Sequence, residues 1–140
     1  MNREPATLQA VVLRAAPTDL SVLSAPEVVS FMERLPGHTP DDRLVYSAAS
    51  PIMHVSKSSP PALLIHGDSY DIVPYQQSVA METALHAAGV PVKLVTIPGG
   101  EHGPNFGSPG KPHPQLPLAF KEMLSWLDKY LRTPSAQPAR

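Results

Sequence analysis

The chain has 140 residues, with 11 Lys plus Arg against 12 Asp plus Glu and a formal net charge of −1, so it carries no basic field to draw nucleic acid or an anionic membrane surface. It contains no cysteine, which excludes disulfide frameworks, cysteine zinc sites and thiol nucleophiles. Leu, Ile, Val and Phe make up about 24% of the residues, above the roughly 20% below which disorder is expected, and the 18 prolines fall where elements start and stop.

Residues 8–13 (LQAVVL) form a short apolar run closed by Ala15-Ala16-Pro17, which predicts a buried strand. Pro26 opens a helical stretch with Val28, Phe31, Met32 and Leu35 at i, i+3, i+4 and i+7, stopped by Pro36-Gly37. Thr39-Pro40-Asp41-Asp42 reads as a helix start close to a capping box, for a helix that would carry Leu44, Val45 and Ala48. A loop through Ser58-Ser59-Pro60-Pro61 leads into a second buried strand, 62–66, which ends in the polar turn His66 to Asp71. Pro74 opens a helix with Met81, Ala84, Leu85 and Ala88 on one face and Gly89 as its C-terminal cap. A third strand, 92–97 (VKLVTI), is stopped by Pro98-Gly99-Gly100. After a Gly- and Pro-rich loop, a last helix places Phe120, Met123, Leu124, Leu127 and Leu131 on one stripe, and 133–140 reads as a mobile polar tail.

Strands alternating with helices predict an α/β fold with parallel strands joined by right-handed crossovers and covered on both faces. No apolar run reaches the ~18 residues of a membrane helix, and Met1–Pro5 does not read as a signal peptide, so a cytoplasmic protein without membrane association is expected.

In open parallel sheets, reactive groups collect beyond the C-terminal strand ends. Three polar clusters lie there: Thr18-Asp19, His66 to Asp71, and Glu101-His102. Asp19 reads first as a cap or turn former, and His66 as a turn residue whose ring bonds to backbone. His102 sits between Gly100 and Gly103 on a loop, which is the setting for a histidine paired with a carboxylate at the neighbouring strand end. His38, His54, His66, His86, His102 and His113 show no metal-ligand spacing. No phosphate-cradling glycine loop follows a strand, so neither metal nor cofactor is implied. Trp126 and Tyr130 read as packing or interface residues, and His86 as a surface residue.

Pro60-Pro61-Ala62-Leu63-Leu64-Ile65-His66-Gly67-Asp68, followed by Ile72-Val73-Pro74-Tyr75-Gln76-Gln77-Ser78, resembles the acid-bearing turn of α/β-hydrolases. The nearest branches are the prolyl-oligopeptidase-like (S9-type) serine peptidases and the acetyl or feruloyl esterases. Ala16-Pro17-Thr18-Asp19-Leu20, Ala49-Ser50-Pro51-Ile52, Ala88-Gly89-Val90-Pro91-Val92 and Pro98-Gly99-Gly100-Glu101-His102-Gly103 extend the resemblance from about Leu8 to Leu131. It implies that His102 is the triad histidine. The family's acid stands four residues after the histidine of the turn, where this chain has Tyr70. A phenol with a pKa near ~10 does not supply the negative charge that an imidazolium needs. Asp71 is then the first candidate for the acid, Asp68 the second, and a turn with neither in place the third outcome.

No serine of this chain lies in G-x-S-x-G, and no HGGG-type oxyanion loop is present. The closest approach, Gly107-Ser108-Pro109-Gly110, is one residue short. Residues 1–132 are therefore expected to form the C-terminal part of an α/β-hydrolase domain without its nucleophile elbow, inactive alone. Two alternatives stand beside this reading. The chain could be one half of a split enzyme acting on an ester or peptide once a second chain supplies the serine. It could also be a non-catalytic module that self-associates through the exposed edge of strand 8–13.

Overall fold

The computed structural model describes residues 8–24, 26, 29, 30, 43–101 and 111–132. Three parallel strands, β1 (Val11–Arg14), β2 (Ala62–Gly67) and β3 (Val92–Ile97), form one sheet in the order β1-β2-β3. The register places Val11 beside Ala62 and Ala62 beside Val92. Helix α1 (Arg43–Ala49) and a 3-10 turn (Pro51–His54) lie between β1 and β2, α2 (Gln76–Ala87) crosses from β2 to β3, and α3 (Leu116–Leu131) follows β3. This is the predicted α/β order. Among the described residues no helix is long and apolar enough to cross a membrane.

Burial explains why β2 reads as an unbroken apolar run. All six of its residues are buried, because successive side chains alternate between two covered faces. Leu63 and Ile65 join Val95, Ile97, Ala119 and Trp126 in the core under α3. Ala62 and Leu64 join Met81, Leu85 and Val90 in the core under α2. Gly89 ends α2 in the left-handed conformation (φ +74°) that glycine adopts without strain, and the Val90 amide reaches back to the Leu85 carbonyl at 3.0 Å.

Several boundaries and faces differ from expectation. The first strand is Val11–Arg14 and not 8–13, since Leu8 is 66% exposed and the ladder begins where the Val11 amide meets the Pro61 carbonyl. The second strand runs one residue further than 62–66, to Gly67, and the third matches 92–97. In α1 the buried residue is Tyr46, whereas Leu44 is 84% exposed and Ala48 is also exposed. The largest correction concerns α3. Its packed stripe is Leu116, Ala119, Met123, Trp126 and Tyr130, while Phe120, Leu124 and Leu131 are each about half exposed or more. The small Ala119 lets the helix approach the sheet, and Trp126 covers more of it than a leucine does. The helix predicted from Pro26 to Leu35 lies mostly outside the described residues, and the capping box at 39–42 and the tail at 133–140 lie wholly outside them.

Candidate active site

The C-terminal ends of β2 and β3 are stitched to each other through backbone. The Asp68 amide donates to the Ile97 carbonyl at 3.2 Å, and the Ser69 amide donates to the Gly100 carbonyl at 3.1 Å. Gly99, at φ +70°, donates its amide to the Asp68 carboxylate at 2.6 Å. The two chains approach so closely that a Cβ on Gly67 would lie 2.1 Å from the Gly100 carbonyl oxygen. Glycine at Gly67 and Gly100 thus serves close backbone approach. The consequence is positional: the turn that carries the candidate acids touches the segment that leads through Glu101 into residue 102.

Within the turn the three candidate residues separate clearly. Asp68 is exposed and its carboxylate is held by the Gly99 amide. Tyr70, at the position where the resemblance calls for an acid, is buried among Ala15 and Val73, its ring 6.1 Å from that of His66. Asp71 is exposed. His102 lies outside the described residues.

His66 lies inside β2, at the strand end where the sequence also placed the start of the turn, and its ring bonds to backbone as expected. It is fully buried, with one ring nitrogen 2.7 Å from Ser78 Oγ and the other 2.9 Å from the Val73 carbonyl. The Val73 carbonyl can only accept, so Nε2 donates to it. The ring ties both ends of the 67–73 turn to Ser78 at the start of α2.

A second polar knot secures the loop after β1. Ala15 takes a left-handed φ of 43°, and Thr18 and Asp19 then turn back against α2. Gln77 Oε1 accepts the amides of Thr18 (2.8 Å) and Asp19 (2.7 Å) and the Thr18 hydroxyl (3.1 Å). Its Nε2 donates to the Asp19 carbonyl at 3.2 Å, and its own carbonyl accepts from Thr18 Oγ1 at 2.7 Å. Asp19 caps the 3-10 turn Leu20–Val22 through the Ser21 amide, the role expected for it. Ser50 Oγ accepts the Leu20 amide and donates to the Tyr46 carbonyl. The sequence reading assigned no role to Gln77, Ser78 or Ser50; three polar residues opening an otherwise apolar helix was the one local hint. Replacing Gln77 with alanine would strand the buried Thr18 amide and the Asp19 amide. We expect a loss of about 3 kcal/mol in urea unfolding, with faster hydrogen exchange at the Thr18 and Asp19 amides. An unchanged midpoint would show that the knot contributes no stability.

A parallel sheet with helices on both faces, a polar turn after the middle strand and a glycine approach after the next is the arrangement of the α/β-hydrolase fold. Solved hydrolases superpose on the chain accordingly. A truncated carbohydrate esterase from gut microbiota matches with a TM-score of 0.70 and 26% identity, over 88% of this chain and 42% of its own. The Pyrococcus horikoshii acylaminoacyl peptidase shares the fold, with a TM-score of 0.73 at 20% identity, over 94% of this chain and 22% of its own. The chain belongs to the prolyl oligopeptidase family, whose model matches residues 1–133. Among curated relatives, Esterase LipC of Mycobacterium tuberculosis is 33% identical over 88 residues, which is 61% of this chain and 22% of LipC. The chain thus spans well under half the length of the relatives it matches.

Proposed function

We propose that the chain forms the acid-and-histidine end of a serine hydrolase site for acyl ester or peptide bonds, with serine and oxyanion donors supplied from outside these 140 residues. The supporting observation is the backbone stitch between Gly67–Ser69 and Ile97–Gly100, which sets the acid turn against the approach to His102. In this reading His102 takes the serine proton and returns it to the leaving group, and Asp71 orients the ring and offsets its charge. Asp68 holds the turn closed through Gly99.

Because no G-x-S-x-G is present, the chain by itself is expected to remain unlabelled by a serine-directed fluorophosphonate and to leave p-nitrophenyl acetate hydrolysis at the background rate. Stoichiometric labelling of any of its own serines would refute the proposal. Tyr70 supports a second reading, a non-catalytic module of hydrolase fold, because the position that should hold a charge is built into an apolar cluster. Supplying the serine in trans decides between them: turnover belongs to the first reading, and assembly without turnover to the second.

A further inference from the structure

Helix α2 meets the sheet in two chemically different ways. Along its middle the contact is apolar, with Met81 and Leu85 packed on Ala62, Leu64 and Val90. Glu82 adds a tie to the outer strand by accepting the Leu94 amide at 3.2 Å, and on the other face Lys93 pairs with Glu122 of α3 at 2.6 Å. At the C-terminal strand ends the contact with α2 turns polar. His66 and Thr96 are register partners there, and strand alternation puts both on the face that carries Leu64 and Leu94.

Three residues that open α2 each bond to a different strand end. The hydroxyls of Tyr75 and Thr96 lie 2.6 Å apart, which ties the helix start to β3. Ser78 Oγ lies 2.7 Å from the His66 ring on β2. Gln77 takes the Thr18 and Asp19 amides of the loop after β1. The Tyr75 and His66 rings also meet edge to face, with centroids 5.8 Å apart at 81°.

Stability alone does not call for this polar row, because bonds between buried polar groups do little more than recover their desolvation. Directional bonds add position: an apolar contact tolerates sliding, whereas a hydrogen bond loses its strength when distance or angle drifts. Tyr75 holds the place where position matters most for the site. Thr96 directly precedes Ile97, and the Ile97 carbonyl accepts both the Asp68 amide (3.2 Å) and the Gly100 amide (2.9 Å). That one carbonyl joins the acid turn to the approach toward residue 102.

We propose that Tyr75 is a positioning residue of this site: by holding Thr96 it fixes the Ile97 carbonyl, and with it the acid turn relative to the segment that leads to His102. The proposal rests on the hydrolase reading above and adds a residue that acts through β3 and not on the substrate.

The test is NMR on the 140-residue chain. Tyr75→Phe keeps the ring against His66 and removes the bond, Thr96→Val removes it from the other side, and Thr96→Ser keeps the hydroxyl. Tyr75→Phe and Thr96→Val should each speed hydrogen exchange of the Asp68 and Gly100 amides about tenfold, the scale of one hydrogen bond. The Leu64 and Val95 amides in the body of the sheet should stay within about twofold of the parent, the spread left when the global opening is unchanged. Thr96→Ser should behave as the parent does. Asp68 and Gly100 amides that do not respond, or equal acceleration at all four, overturns the proposal.

The His102 ring gives a second readout. A carboxylate beside an imidazole favours its charged form, so Asp71→Asn should lower the His102 titration midpoint, and should lower it less than half as far in the Tyr75→Phe background. An equal shift in both backgrounds overturns the positioning role. No shift in either, with the Asp68 and Gly100 amides loosened, sustains Tyr75 in its place and removes Asp71 from the hydrolase reading.

Discussion

Alanine at Gly67 is expected to lower the melting temperature by roughly 10 °C or abolish cooperative unfolding, corresponding to a loss of about 3 kcal/mol or more. The added methyl would meet the Gly100 carbonyl oxygen at 2.1 Å and the Gly100 carbonyl carbon at 2.4 Å. Both are backbone atoms, so no rotamer change can relieve the contact. They are held in place from both sides, since the Gly100 amide donates to the Ile97 carbonyl and the Gly100 carbonyl accepts from Ser69. Separating them breaks the stitch as well as the packing. Gly89→Ala is the appropriate comparison. Gly89 has φ +74° and no neighbouring atom within 4 Å of the new methyl, so it bears only the left-handed backbone penalty of about 1 kcal/mol. Differential scanning calorimetry of the two variants measures both, and a Gly67→Ala transition within a few degrees of the parent would remove the close approach from the account of the site.

The second large effect concerns chemistry. In an enzyme assembled with the serine in trans, Asp71→Asn is expected to lower kcat by about 10³- to 10⁴-fold with KM changed little. The amide keeps the shape but supplies no charge for the imidazolium and favours the wrong ring tautomer. Asp68→Asn should change kcat by only a few-fold, because its amide oxygen can still accept from Gly99 at the same position. Steady-state kinetics on both variants read the assignment directly. If the losses were reversed, Asp68 would be the triad acid and Asp71 a surface residue.

The sheet was legible in the sequence because β2 is covered on both faces and reads as an apolar run, and β3 is a short β-branched stretch, each bounded by proline and glycine. Helix α3 was legible as a helix, but its inward face was not. It carries two apolar stripes, and hydrophobicity alone favours the leucines over the Ala119–Trp126 row that the sheet accepts. Leu44 misled for a related reason, since the phenol ring of Tyr46 covers more core than a leucine while still reading as amphipathic. Of the site, the acid turn and the glycines after β3 were visible as punctuation and as resemblance. The knot between Thr18 and Gln77 was not, because it joins residues 59 positions apart that share no periodic pattern. His66 was legible as the residue where strand 62–66 meets the turn, but not as a fully buried one. Only a hydroxyl from Ser78 and a carbonyl from Val73, both brought in by α2 and its approach, make it a core residue.

The guarded outer edge of β3 also limits how this molecule can go wrong. Strand-by-strand growth into a filament needs two receptive edges on every unit, one to join and one to offer onward. Glu82 on the Leu94 amide and the Lys93–Glu122 pair occupy the outer edge at β3. Growth through β3 would first have to displace Glu82 from the Leu94 amide and part the Lys93–Glu122 pair.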